Sequence, residues 1–372
     1  MFFHVILTDD CNLCCRYCRG KEFDLLLSGD DSSSVDFFMP TELSYNLESL
    51  YSFLKKDPEG CLTFYGGEPL MRTDLIREIM DNAPVKRFFI QTNGLLLHEL
   101  ENEYLDRLEA ILVSIDGPEE ITDLNRGKGT FSRVIENVLK VRREGFDGEI
   151  IARMTVTEGT DIYEAVNFLI SDPTCQFSSA HWQIDADFSC NCRQEIFESW
   201  ISGNYMPGIR KLIAEWVLTM ERKGYVPRLY PFLQTAEDLL RGENSRLRCG
   251  CGYASYTITT DGHICPCPIM IGMKDYYVGH ITSADPRNLP VVHMEGSCRV
   301  CPIYGFCGGR CLYADVTRPW QAEQKKLICS TVHDLRNTII AALPAISDLI
   351  TQGTITMQDF VHTRYNGCEI IP

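Results

Sequence analysis

Six short β-rich runs, FFHVILT, CLTFYGG, RFFIQTNG, AILVSIDG, EIIARMTVT and AHWQID, alternate with segments of helical period through the first half of the chain. Strands separated by helices in this way predict parallel pairing with crossover helices. Polar or glycine-rich clusters fall at or just after the C-terminal end of these runs, where a β/α barrel gathers its site. Six units in place of eight predict an α/β fold built on a partial (β/α)6 TIM-like barrel. At 372 residues, with 45% hydrophobic and 23% charged side chains, the chain exceeds the size at which single cores divide, so a large domain plus a smaller one is expected.

The formal charge of -16 disfavours nucleic acid or an anionic membrane as partner, since both select a basic face. The longest apolar stretch, Asn337 to Ile350, is amphipathic and contains Pro344 and Asp348, so it predicts a surface-packed C-terminal helix and no membrane span. Eighteen cysteines would read as disulfides in a small secreted domain. In a chain this long, without a charged-then-apolar leader and with clustered cysteines from position 11, they predict a reducing cytoplasm and metal ligation.

The run CNLCCRYC sets Cys11, Cys15 and Cys18 at C-x3-C-x2-C spacing. Three thiolates hold three irons of a [4Fe-4S] cubane and leave the fourth open to a small molecule, whereas four cysteines make a relay or a structural clip. Zinc needs a fourth Cys or His nearby, and the adjacent Cys14 and Cys15 side chains do not readily face one metal. Cys14 is expected to be a bystander or buried thiol. One unit on, Gly66-Gly67-Glu68-Pro69 combines two glycines that allow close backbone approach with a carboxylate and bare carbonyls that accept from an ammonium. Alone, the same run is a strand-to-helix turn. Thr92-Asn93-Gly94 and Ser114-Ile115-Asp116-Gly117 add hydroxyl, amide and carboxylate groups at the same expected face, and each is also a turn signal.

Cys11, Cys15 and Cys18, with Tyr17 before the last of them and the GGEP run one unit later, resemble the radical S-adenosylmethionine (SAM) superfamily. The resemblance implies that SAM chelates the open iron through its amino and carboxylate groups and that cluster reduction cleaves it to a 5′-deoxyadenosyl radical. It implies that Tyr17 packs beside the adenine, that Gly66, Gly67, Glu68 and Pro69 bind the methionine amino group, and that Asn93 and Asp116 belong to the same cofactor site. Ser114 and Arg126, twelve residues apart, have the spacing at which relatives contact the ribose or carboxylate and pair with the methionine carboxylate, a bidentate task for a guanidinium. Arg153 on the fifth run is a further cofactor-binding candidate, or it neutralises nearby acids.

Nine cysteines between Arg248 and Cys329 lie among short Gly- and Pro-punctuated segments with too few apolar residues to form a core without metal. Cys298, Cys301, Cys307 and Cys311 read C-x2-C-x5-C-x3-C, Cys329 follows after a gap, and Cys249 precedes Gly262-x4-Cys267. This ordered set resembles the SPASM extension of radical enzymes that modify peptides and proteins, where two auxiliary [4Fe-4S] clusters are bound. It implies Cys298, Cys301, Cys307 and Cys329 for an outer cluster and Cys249, Cys267 and Cys311 for an inner one, three clusters in all. Cys249 and Cys251 are two apart, as are Cys265 and Cys267, so each pair shares a face if these are strands. Cys251 is favoured to complete the inner set; Cys265 is its rival, and a position open to a substrate thiol is the third alternative. Zinc ribbons are disfavoured by the C-x5-C-x3-C spacing.

Pro268 stands where sulfatase-maturing relatives carry an Asp that takes a substrate proton, which argues against formylglycine formation. His181, Asp185 and Asp187 near the end of the sixth run are candidate bases or plain polar groups at a strand end. Cys61 reads as core, and Cys175, Cys190, Cys192 and Cys368 fit no motif.

The expected organisation is a partial barrel over 1–190, a helical linker over 191–245, a SPASM domain over 246–330, and a C-terminal helix and tail over 331–372. The resemblance implies an enzyme that cleaves SAM reductively and abstracts a hydrogen from a peptide or protein residue, a thioether or other crosslink standing first among the products. An external one-electron donor such as a flavodoxin or ferredoxin is implied. Because the cluster loop begins at Cys11, no N-terminal peptide-recognition or cobalamin domain is expected, and a leader would be bound elsewhere or by a separate protein. Two readings compete: a radical enzyme acting on a small metabolite, and a multi-cluster electron-transfer protein, for which the GGEP run has no use.

Overall fold

In the computed structural model the described residues are 1–18, 36, 38–186 and 191–367. Asp187, Cys190, Cys368 and the side chain of Cys192 lie outside them. The six β-rich runs form β1 (Phe2–Ile6), β2 (Cys61–Tyr65), β3 (Arg87–Thr92), β4 (Leu108–Ser114), β5 (Glu149–Val156) and β6 (Ser179–Ile184). Their connections carry α1 (Leu47–Leu54), α2 (Thr73–Asn82), α3 (Asn102–Leu105), α4 (Glu119–Arg126), α5 (Thr130–Arg143) and α6 (Ile162–Ser171). Strands β1 to β4 pair in parallel, Phe2 opposite Cys61 and Cys61 opposite Arg87. Residues of both pleat faces are inaccessible, including Phe3, Val5, Leu62, Phe64, Phe89 and Ile90, which is why these runs are continuously apolar instead of alternating. Cys61 is buried at the start of β2, as a core residue.

The sheet continues past β1. Strand β7 (Ser255–Ile258) adds in parallel to β1, and β8 (His263–Cys265) and β9 (Gly279–His280) follow antiparallel, giving the order β6-β5-β4-β3-β2-β1-β7-β8-β9. All four residues of β7 are buried, so the start of the cysteine-rich region covers the otherwise open edge of β1. Two compact units result: Met1–Ile115 with Thr122–Ile151 and Gly250–His293, and Asp116–Ile121 with Ala152–Cys249 and Met294–Pro372. These divisions differ from the boundaries at 190, 245 and 330 read from composition, because pairing of β7 with β1 draws residues after Gly250 into the first unit.

The second unit carries α7 (Asn191–Trp200), α8 (Met206–Lys223), α9 (Tyr230–Arg241), α10 (Tyr304–Cys307), α11 (Leu312–Thr317) and α12 (Ala322–Thr351). In α12, Ile328, Val332, Leu335, Ile339, Ile346 and Leu349 form the buried stripe that packs on α8 and α9. This helix starts before residue 331 because Gln321 and Gln324 form a capping box at its N-terminus. It runs through Pro344. Among the described residues, no helix is long and apolar enough to cross a membrane.

Candidate active site

The loop leaving β1 bears the three cysteines: Cys11 and Cys18 are exposed and Cys15 is half-buried. Cys14 is exposed too, so it is not a core thiol. The loop is tied to the end of β2 by backbone bonds from Gly67 N to the Thr8 carbonyl (2.9 Å) and from Glu68 N to the Asp10 carbonyl (2.8 Å). A Cβ on Gly66 would lie 2.2 Å from the Thr8 oxygen, and one on Gly67 would lie 2.2 Å from the Asp10 oxygen. Gly66 also has φ +141°. The two glycines therefore let the cluster loop's own backbone approach the end of β2.

Glu68 was expected to offer its carboxylate to an ammonium. Instead its side chain is fully buried, with Oε1 accepting from Leu70 N (3.0 Å) and Thr92 Oγ1 (2.7 Å) and Oε2 from Asn93 N (2.7 Å). It is a clamp joining the ends of β2 and β3. The clamp places Asn93, whose amide donates to Asn12 Oδ1 (2.6 Å) and reaches Cys11 Sγ (3.8 Å). Leu13 N also donates to Cys11 Sγ (3.4 Å). Pro69 opens a short 3-10 turn from the same junction. At the end of α4, Arg126 is buried with its guanidinium 5.4 Å from the Tyr17 ring centre, and Arg16 N donates to the neighbouring Asn125 carbonyl (2.8 Å). Ser114 ends β4, half-buried.

Burial pushes the Glu68 carboxyl up from 4.5 to about 7, against the three hydrogen bonds that pull it down. A raised carboxyl pKa stabilises the fold fully below pH 4.5, and that contribution is lost as pH rises through 7. Wild-type stability is therefore expected to fall by up to about 3 kcal/mol over this window. Glu68→Gln should flatten that slope while lowering stability by about 1–3 kcal/mol, because an amide N–H would face the Asn93 N–H. Thermal melts at pH 5 and pH 7.5 check this, and equal slopes for the two proteins would refute it.

In the second unit, Asp116 is fully buried and its Oδ1 accepts from Thr155 N (3.0 Å), fixing the backbone of β5. Arg153 and His181 pair across β5 and β6, with Nη1 2.8 Å from Nδ1 and His181 fully buried. Asp185 Oδ2 is 2.6 Å from Arg193 Nη2, and Arg193 also binds Glu158. Both candidate bases thus face guanidinium groups. Trp182, on the opposite face of β6, donates to Tyr205 Oη (3.2 Å) and packs edge-on against Phe232.

The same unit holds a cavity of about 190 Å³ lined by Cys298, Cys301, Cys307, Cys311 and Cys329. Asp315 accepts from Glu295 N (2.7 Å) and Gly296 N (3.0 Å), fixing the turn that presents Cys298, while Cys307 ends α10 and Cys329 comes from α12. Burial pushes the Cys307 thiol up to about 11. The inner set is divided between the units: Cys249 and Cys311 belong to the second, Cys251 and Cys267 to the first. Cys265 is fully buried and its thiol donates to the Cys267 carbonyl (3.4 Å). Pro268 starts a 3-10 turn.

A family model described as the radical SAM superfamily matches residues 5–169. Over residues 5–169 the chain is thus similar to radical SAM domains. Domains of this superfamily use a [4Fe-4S] cluster and SAM. A probable GTP 3′,8-cyclase of Methanococcus maripaludis is 29% identical over 38% of this chain and 46% of its own length. Of eight curated relatives it matches, the chain spans between 37% and 65% of their length. In solved structures, native anSMEcpe with bound AdoMet and the Cp18Cys peptide is similar over 94% of this chain and 99% of that chain, at 18% identity and TM-score 0.65. Streptococcus suis SuiB bound to precursor peptide SuiA is similar over 83% of this chain and 71% of that chain, at 15% identity and TM-score 0.51. The fold is thus a radical SAM barrel followed by a cysteine-rich extension.

The cysteine loop after β1 and the cysteines around the second-unit cavity have the donor chemistry of iron–sulfur ligands. Among the described residues, no three His, Cys, Asp or Glu side chains converge on a single-ion site. A cubane binds each thiolate through a different iron, so its ligands surround a volume, as the five cysteines around the second-unit cavity do. Sequence reasoning missed Arg310 and Lys325 in that cavity wall. The signal available was the position of Arg310 between ligand cysteines in CGGRC.

Proposed function

We propose that the chain is a cytoplasmic radical SAM enzyme that modifies a residue of a peptide or protein, with an oxidative crosslink such as a thioether as product. The reading rests on one observation, the cysteine-lined cavity outside the radical SAM domain. A GTP 3′,8-cyclase relative matches up to 46% of the chain, whereas the likeness to the peptide-bound anSMEcpe structure extends over 94% of it. Cys11, Cys15 and Cys18 would hold the first cluster, Cys298, Cys301, Cys307 and Cys329 the outer auxiliary cluster, and Cys249, Cys267, Cys311 and Cys251 the inner one. Cys251 stands first for the fourth position, with Cys265 as its rival.

When bound and reduced by an external one-electron donor of flavodoxin or ferredoxin type, the first cluster and SAM supply a 5′-deoxyadenosyl radical. The chain's own groups orient the cofactor: the Gly66 and Gly67 carbonyls would accept from its ammonium, Arg126 would pair with its carboxylate, and Tyr17 would flank the adenine. Ser114 and Asn93 complete the polar lining. Asp116, Arg153, His181 and Asp185 serve the architecture of β5 and β6, and none is assigned as the base.

Anaerobically reconstituted protein, given SAM, dithionite and candidate substrate peptides, is expected to form 5′-deoxyadenosine and a peptide lighter by two hydrogens in mass spectra. The second reading is a small-metabolite enzyme, favoured by the cyclase relatives. Consumption of GTP with every peptide mass unchanged would establish it and displace the first.

A further inference from the structure

Arg310 sits between two cavity-lining cysteines in Cys307-Gly308-Gly309-Arg310-Cys311 and lines the cavity itself. Its backbone is left-handed, with φ 61°, a conformation that a long side chain rarely adopts and that persists only where its surroundings impose it. The guanidinium lies 5.4 Å from the Trp320 ring centre. Its Nε is buried and has no hydrogen-bond partner among the described residues. A buried N–H without an acceptor is costly, so its position makes sense when the cavity holds an acceptor.

A second buried guanidinium lies behind Cys307, outside the cavity lining. Arg248 is almost wholly buried, with Nε donating to the Phe306 carbonyl (2.7 Å) and Nη1 to Asp238 (2.8 Å). Its Nη2 is buried without a partner. The carbonyl that holds Arg248 belongs to the residue preceding Cys307, and the charges of both arginines act on the Cys307 sulfur.

We propose that Arg310, backed by Arg248, donates N–H hydrogen bonds to the sulfurs of the outer auxiliary cluster and raises its reduction potential. Hydrogen bonds to the sulfurs and local net charge are what set the potential of such a cluster, and the one-electron-reduced cluster carries one more negative charge for the guanidinium to stabilise. The outer cluster is then the favoured resting place for an electron in the second unit. The inference rests on the reading that Cys298, Cys301, Cys307 and Cys329 hold that cluster.

The test is an EPR-monitored redox titration of the full-length reconstituted protein, with iron counted for each preparation. Arg310→Met removes charge and donors; Arg310→Lys keeps the charge but loses the Nε–H. With full iron, Arg310→Met should move one reduction wave to lower potential by a tenfold change in the reduced-to-oxidised ratio, about 59 mV for one electron. Arg310→Lys should move the same wave by less. Should Arg310→Met lose about a third of its iron, Arg310→Lys decides: a lowered wave at full iron upholds the role, and an unmoved wave overturns it. Loss of iron from both variants overturns it as well, making Arg310 a residue of cluster retention. The underlying cluster assignment fails separately, if Cys307→Ala keeps all its iron and every wave.

Discussion

Cys15→Ala is expected to abolish 5′-deoxyadenosine formation while the protein keeps about two thirds of its iron. Cys15 lies in the middle of the three-cysteine loop, half-buried, with its carbonyl accepting from Cys18 N at 3.0 Å. Alanine preserves that backbone turn and removes only the sulfur. With two thiolates left, the first cluster has no stable hold, whereas Cys298, Cys301, Cys307 and Cys329 belong to a different compact unit and the proposed inner set includes no residue of the Cys11–Cys18 loop. The fall in cleavage should be on the order of a thousandfold or more, a barrier rise of about 4 kcal/mol. Iron counting with a dithionite-driven cleavage assay checks it, and 5′-deoxyadenosine at wild-type yield from Cys15→Ala would remove these cysteines from the active site. The same change at exposed Cys14 should leave both readouts intact.

The six apolar runs were legible because each obeys a local rule, a buried strand followed by a helix for each barrel unit. What lay beyond reach depended on contacts between distant segments. Nothing local marks Ser255–Ile258 as the partner of Phe2–Ile6, so the continuation of the sheet into the cysteine-rich region was invisible. Glu68 looked like a free carboxylate because its donors, Thr92 and Asn93, arrive from the next strand. His181 and Asp185 looked like bases because their guanidinium partners, Arg153 and Arg193, stand on other elements. Polar residues at strand ends are ambiguous between chemistry and architecture until their partners are placed.

Gly67→Ala is expected to damage the cluster as well as SAM cleavage, because Gly67 packs on the cluster loop itself. The added Cβ would meet the Asp10 oxygen at 2.2 Å and the Asp9 oxygen at 2.4 Å, both backbone atoms that cannot swing aside. Relief requires the loop to move off β2, breaking the bonds from Gly67 N to the Thr8 carbonyl and from Glu68 N to the Asp10 carbonyl. Overpacking and two lost hydrogen bonds together cost about 3 kcal/mol. The displaced loop carries Cys11, one residue beyond Asp10, away from Asn93, so about a third of the iron should be lost together with 5′-deoxyadenosine. Gly159→Ala is the control, since a Cβ there meets nothing within 4 Å. Three outcomes separate the roles of this glycine. Loss of iron and cleavage together marks it as the seat of the loop. Full iron with weakened SAM binding would make it a residue of ligand approach alone, and wild-type iron and cleavage would mean that the loop yields without consequence. Only the first follows from the backbone contact, because the cofactor can be positioned only by a cluster that the loop has already fixed.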